Sequence, residues 1–253
     1  MNGACGVNGE VVLVTGGTRG VGLGIVHAFA KAGAQVVTCG RSEVDSEFRY
    51  VRADVRDPSQ VDTLIETVVA EYGRLDVVVN NAGGAPPALA ASASPRLHQK
   101  IVELNLLAPL HVSQRANTVM QQQDSGGAIV MIGSVSGTRP SPGTAAYGAA
   151  KAGLANLATS LAVEWAPKVR VNTVVVGPVD TELSQVHYGD EAGVAAVGET
   201  IPMGRMATPA DVGEACLYLA SPAAAYVTGS TLTVHGGGER PAFLSASNAE
   251  VPK

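Results

Sequence analysis

Tyr147 and Lys151 stand four residues apart in AYGAAKAGLANLATSLAVEW, a stretch with the composition of a helix. On a helix, positions i and i+4 share a face. A phenol beside an ammonium is a proton-handling pair, because the cation stabilises the phenolate and draws its pKa down from about 10. The same spacing also arises by chance in ordinary helices, so the surrounding elements must decide what the pair does.

A second group of residues sits near the start of the chain. The β-branched run at residues 10–15 leads directly into Thr15-Gly-Gly-Thr-Arg-Gly-Val-Gly22, and a helix-like segment follows to about Gly33. Gly16, Gly20 and Gly22 permit a tight turn and a close backbone approach, and the helix N-terminus after them offers free N–H groups to an anion. A strand before and a helix after the glycines predict a dinucleotide pyrophosphate site, with Thr18, Arg19 and Val21 bordering it. The second strand ends at Cys39-Gly40-Arg41, with no acid at its tip. An acid there would bond the ribose hydroxyls of NAD, whereas an arginine accommodates the phosphate of NADP. Arg41 with Arg19 therefore predicts NADP(H) over NAD(H), through forked bonds to a dianion. Asp54, just past the third strand, is either an acceptor for the adenine amino group or a turn acid.

These motifs need a scaffold, and the 253 residues supply alternating strand-like and helix-like segments almost end to end. Strands are predicted at about 10–15, 35–39, 48–53, 75–80, 128–132, 169–176 and 230–234. Helices are predicted at 58–72, 95–122, the Tyr147 segment and 209–219. Residues 177–205 read as a loop with a short helix, a lid segment over about 182–205, and 239–253 as an extended tail. Near-continuous apolar strands argue for an α/β fold, a Rossmann-like doubly wound parallel sheet of about seven strands in one domain. The gap between the second and third strands is too short for a crossover helix, which predicts a loop and a less shielded edge. A net charge of −5 gives no case for nucleic acid or anionic membranes. No apolar run spans a bilayer and no signal-peptide pattern opens the chain, so a cytoplasmic protein is expected. Cys5, Cys39 and Cys216 are far apart and the five histidines are scattered, which argues against disulfide and metal chemistry.

Together the motifs resemble the short-chain dehydrogenase/reductase family from about Val11 to Gly238. They are TGGTRGVG at 15–22, NNAG at 80–83, Asn105 in LNLLAP, Ser134 in IGSVSG and the Tyr147–Lys151 pair. The resemblance implies a catalytic tetrad. Tyr147 would be the acid for ketone reduction or the base for alcohol oxidation. Ser134 would bond the substrate oxygen, and Lys151 would hold the nicotinamide ribose and acidify Tyr147. Asn105 would hold a helix backbone in shape and anchor a water linked to Lys151. Ser134 as a turn cap and Asn105 as a purely structural amide are the plainer alternatives. Val55, Asn81, Ala82, Gly83, Val179 and Thr181 match positions that would border the cofactor. A homotetramer through the helices bearing Asn105 and Tyr147 is implied as well.

The chain departs from the family pattern at Val176-Gly177-Pro178, where Pro-Gly is usual, and at His235, where an Asp is usual. The Tyr–Lys spacing is narrower than in the superfamily's enoyl reductases. The segment 121–127 lacks the basic residues that suit an acidic carrier protein. Residues 84–87, 134–138 and the segment after Thr181, with Leu183, Val186 and Tyr188, predict a small-to-medium, mostly apolar carbonyl or alcohol substrate. Arg139 and His187 are either contacts for a polar substrate tail or solvated loop residues. The competing activities are 3-oxoacyl-thioester reduction, a lyase or epimerase using transient hydride transfer, and a non-catalytic NADP-binding regulator.

Overall fold

The computed structural model describes residues 6–246. Cys5 and the end of the expected tail lie outside the described residues. Seven strands form one parallel sheet: β1 (Val11–Thr15), β2 (Gln35–Gly40), β3 (Arg49–Arg52), β4 (Val77–Asn80), β5 (Gly127–Ser134), β6 (Val169–Val176) and β7 (Thr231–Val234). They lie side by side in the order β3-β2-β1-β4-β5-β6-β7. The chain first winds one way from β1 to β3, then returns and winds the other way from β4, so strand order reverses between β1 and β4. Ligands of such sheets bind outside the carboxyl ends of the strands at that reversal.

Alternation along the strands builds two cores. Val11 and Leu13 face one side, with the buried faces of α2 (Pro58–Tyr72), α4 (Ala108–Met120) and α5 (Ala145–Trp165). Val12 and Val14 face the other, against α1 (Gly20–Lys31) and α8 (Pro209–Ala220). All five residues of β1 are therefore buried, as expected of a strand covered on both faces. Asp57 caps α2 through the Ser59 N–H, and Gly73 ends it in the left-handed region at φ 74°.

Three expectations are corrected. The helix predicted over 95–122 is not one α-helix: α3 (Pro95–Val102) and α4 are joined by a π-turn at Glu103–Leu107. The segment 177–205 carries two helices, α6 (Ser184–Tyr188) and the longer α7 (Glu191–Thr200), the latter capped by Asp190 through the Gly193 N–H. The tail contains a short helix at Ala242–Ala246, α9. The loop expected between β2 and β3 is present at 41–48, and β3 is only partly covered.

The amino ends of β1 and β4 meet at a polar cluster far from the ligand side. Asp76 is buried, accepts from the Val11 N–H at 2.9 Å and takes a forked bond from Arg74. Beside it, the Glu10 carboxyl is pushed up from 4.5 to about 7, first by burial and then by Asp76, with Arg74 and Arg170 opposing. A carboxyl raised on folding favours the folded state fully below its unfolded pKa, and that contribution is lost as pH rises through the folded value. Wild-type stability should therefore fall between about pH 4.5 and 7 relative to Glu10→Gln. The two should converge near pH 4.5 in urea titrations, and the variant should be the more stable protein at pH 8.

Candidate active site

The first site element is the turn after β1. Gly16 has φ 66°, a left-handed conformation that β-carbon-bearing residues rarely adopt. Its N–H donates to the Cys39 carbonyl at 2.9 Å, while the Thr38 hydroxyl accepts from the Gly17 N–H at 2.8 Å and donates to the Val14 carbonyl. The loop after β4 packs on this turn. The Thr15 hydroxyl accepts from the N–H groups of Asn81 and Ala82, and the Asn81 amide donates to the carbonyls of Thr15 and Gly16. A β-carbon on Gly22 would run into the Gly16 carbonyl and the Asn81 amide. No side chain caps the start of α1, so its N–H groups remain available to an anion. This bare, positive cradle fits a pyrophosphate. Thr38 is a site-building residue that the motif reading does not include, and Thr15, which opens the glycine motif, has no role of its own in it; the sequence marks Thr38 only as a hydroxyl within an apolar strand.

Asn80 points away, donating to the Ser113 hydroxyl and approaching the Met131 sulfur, and so pins β4 to α4 and β5. Asn105 lies in the π-turn and is fully buried. Its Oδ1 accepts from the Gly84 N–H, and its Nδ2 donates to the carbonyls of Gly84 and Ile101, each at 2.9 Å. The amide ties helix to loop and satisfies a carbonyl of its own preceding turn. A β-carbon on Gly83 would lie 2.8 Å from Asn105 Oδ1 and 3.2 Å from Lys151 Nζ, so this glycine lets the two side chains converge.

Lys151 projects from α5 into the carboxyl end of β5, where Nζ donates to the Ile132 carbonyl at 2.7 Å. It is buried, and burial lowers its pKa to about 8. Nζ lies 5.6 Å from the centre of the Tyr147 ring. The expected acidification of Tyr147 is absent from this arrangement. Burial pushes the phenol above its ordinary value, and the Ser134 hydroxyl alone draws it back. The reason is desolvation: both groups sit where charge is costly, and the ammonium is engaged by a carbonyl. Ser134, the last residue of β5, also accepts from the Ser136 N–H, so it serves as a turn cap while facing the phenol.

One cavity of 880 Å³ joins these parts. Its walls include Gly16, Thr18, Arg19, Gly20, Val21 and Gly22 at one end and Gly83, Ser134, Tyr147 and Lys151 at the other, with Asn81, Ala82, Val179 and Thr181 between. Arg41, Asp54 and Val55 border it on the β2–β3 side. The Asp54 carboxylate is gripped by Arg56 through a forked bond, which holds it below the usual carboxylate range. It is thus a turn acid as well as a wall residue. Thr181 is ordered by Ser184, whose hydroxyl accepts from its N–H. Gly177 packs so closely on His235 that a β-carbon would lie 2.8 Å from the histidine Cβ, while the Pro178 carbonyl accepts from the Ala207 N–H. The inverted Gly-Pro order thereby joins β6 to the end of β7.

The substrate end differs from expectation in part. Gly84, Leu104 and Leu183 border the cavity, whereas Val186 is 78% exposed and outside it. Arg139 forms an ion pair with Glu239, with Tyr188 close enough to feel both charges. Among the described residues no cluster of His, Cys, Asp or Glu could hold a metal ion, and no helix is long and apolar enough to cross a membrane.

Comparison with known proteins places this geometry among relatives. A family model described as enoyl-(acyl carrier protein) reductase matches residues 15–239. The 3-oxoacyl-[acyl-carrier-protein] reductase FabG of Escherichia coli (strain K12) is 35% identical over 240 residues, which is 90% of this chain and 97% of that protein. An uncharacterized oxidoreductase of Mycobacterium tuberculosis (strain CDC 1551 / Oshkosh) is 34% identical over 255 residues, covering 96% of this chain and 95% of the relative. The ligand-free structure of Thermoplasma acidophilum aldohexose dehydrogenase superposes with a TM-score of 0.89 at 29% identity, covering 98% of this chain and 99% of its own.

The turn itself generates a test. Gly22→Ala should weaken dinucleotide binding by at least about tenfold, since the Gly16 carbonyl and the Asn81 amide leave the new methyl no room. Fluorescence titration with NADPH measures it, and unchanged affinity would refute the cradle.

Proposed function

Because the chain belongs to the short-chain dehydrogenase/reductase family of NAD(P)-linked oxidoreductases acting on CH–OH groups, we propose that it reduces a small-to-medium, mostly apolar carbonyl compound with NADPH, and runs the reverse oxidation. The observation that carries this reading is the convergence of Ser134, Tyr147 and Lys151 at the end of the cavity opposite the glycine turn. The cofactor, when bound, supplies or accepts the hydride. The chain's residues do the rest. Ser134 and the Tyr147 hydroxyl hold the substrate oxygen, and the phenol delivers the proton as charge develops there. A phenol kept above its ordinary pKa is protonated at neutral pH, the state that carbonyl reduction needs. Lys151 would hold the ribose hydroxyls of the nicotinamide half. Gly16, Gly20 and Gly22 would seat the pyrophosphate, and Asp54 and Val55 the adenine.

The preference for NADP(H) rests on Arg19 and Arg41 bordering one cavity, with no acid at the tip of β2. Asp45 and Glu47 border the same cavity and favour NAD(H) as the second reading. Glu47, however, already lies 3.5 Å from His27 Nε2. A 3-oxoacyl thioester is the alternative substrate, supported by the likeness to FabG. The absence of basic residues over 121–127 weighs against it. The Tyr–Lys spacing speaks against enoyl reduction. A homotetramer is part of the same reading, with Val163 on α5 81% exposed on the helix expected to pair.

Tyr147→Phe should lower turnover about 10²–10⁴-fold while NADPH affinity stays near wild type. In the wild type, reduction should hold its rate through neutral pH, and oxidation should gain rate only in alkaline solution. Steady-state rates in both directions check this. Arg41→Asp should shift the NADPH:NADH preference by more than about tenfold, read as a ratio of kcat/KM values. Sedimentation velocity should give a species of four chains, and a monomer would contradict the assembly.

A further inference from the structure

The loop that replaces a crossover helix between β2 and β3 is held by side chains of β3. In β2 the carbonyls alternate: Cys39 points to β1 and bonds the Gly16 N–H, and Gly40 points to β3 and bonds the Ala53 N–H. The alternation then stops. The Arg41 carbonyl accepts from Arg52 Nε at 3.1 Å. The Tyr50 hydroxyl stands 2.8 Å from the Gly40 carbonyl and 2.5 Å from the Ser42 carbonyl, one proton shared between two acceptors. Three successive carbonyls, at 40, 41 and 42, are thus gripped from one side by two side chains of β3. Position 40 is built for this, since a β-carbon there would lie 3.2 Å from Tyr50 Oη. The residue in the middle of the grip is Arg41, and both Arg41 and Tyr50 border the cavity.

We propose that Tyr50 and Arg52 are positioning residues for cofactor selection: by clasping the backbone on either side of Arg41 they hold its guanidinium toward the adenosine end of the cavity and set the discrimination between phosphorylated and unphosphorylated dinucleotides. The inference rests on the reading of Arg41 as the phosphate-binding residue. A loop of eight residues, 41–48, has no helix to order it, and an unclasped arginine would sample many positions before meeting a phosphate. That ordering cost would fall on NADPH, whose extra phosphate needs Arg41, more than on NADH. Glu43, 3.8 Å from Arg52, is the nearest competing acid in the clasp. It approaches Arg52 through Nη1, while Nε donates to the Arg41 carbonyl.

The test uses Tyr50→Phe, which keeps the ring and removes the shared proton, and Arg52→Lys, which keeps the charge and removes the Nε donor. Dissociation constants for NADPH and NADH are measured by nucleotide fluorescence on the full chain, with melting temperature recorded alongside. A lost net hydrogen bond of about 1 kcal/mol corresponds to about fivefold. The expected result is a wild type that prefers NADPH, and variants that melt near the wild type and lose about fivefold of that preference, mainly through NADPH. A wild type that prefers NADPH, with variants that keep the full ratio, overturns the clasp and leaves the phosphate reading standing. Equal weakening toward both nucleotides also overturns it, by making Tyr50 part of the general adenosine wall. A wild type that binds both alike overturns the phosphate reading and the clasp with it.

Discussion

The structure depends on a close backbone approach where the strand order reverses. β1 and β4 are neighbours, yet the chain leaves them in opposite directions, so the turn after one and the loop after the other must meet over the sheet edge. That meeting leaves backbone polar groups without ladder partners, and buried groups of that kind have to be paired. The Thr15 hydroxyl and the Asn81 amide pair them, and glycines at 16 and 22 leave the space in which they do so. With the turn braced from both sides, the start of α1 keeps a fixed aim. Its N–H groups, which no side chain caps, stay open to an anion.

The same economy of polar groups governs the chemical end of the cavity. α5 carries a lysine into an apolar layer, where an ammonium is costly, and its Nζ donates to the Ile132 carbonyl. Burial weakens the cation and strengthens the hold of Tyr147 on its proton. The phenol therefore keeps its proton at neutral pH. Asn105, fully buried behind Gly83, is the counterpart. The π-turn around it shifts the helix register, and its side chain repairs part of the disturbed bonding while anchoring Gly84. Irregular helical turns of this kind concentrate at functional sites, and here the amide and the ammonium converge on the same side of Gly83.

On the β2–β3 side the fold omits an element and compensates with side chains. The loop 41–48 leaves β3 partly open. Phe48 packs onto the α1 layer and touches His27 edge-on, while Tyr50 and Arg52 hold the loop's first carbonyls. The cavity extends along this loop. This wall of the cavity is made of side-chain contacts instead of helix packing.

The sequence by itself determined the parallel α/β sheet, the glycine turn, the short second connection and the spacing of Tyr147 and Lys151. Each follows from local rules: apolar runs of strand length, glycines where a turn must be tight, and helical periodicity. It did not place the π-turn, although Pro109 has no N–H to offer the carbonyl four residues back at Asn105; how the helix accommodates that loss depends on the bonds Asn105 makes to Gly84 and Ile101. Nor could it find α7, whose small and acidic residues carry a weak apolar pattern. Local spacing put an ammonium beside a phenol, and the expectation was an acidified tyrosine. Only the tertiary structure decided the direction in which each group is shifted, because burial, opposed at the phenol by the Ser134 hydroxyl, sets it, and neither is visible along the chain.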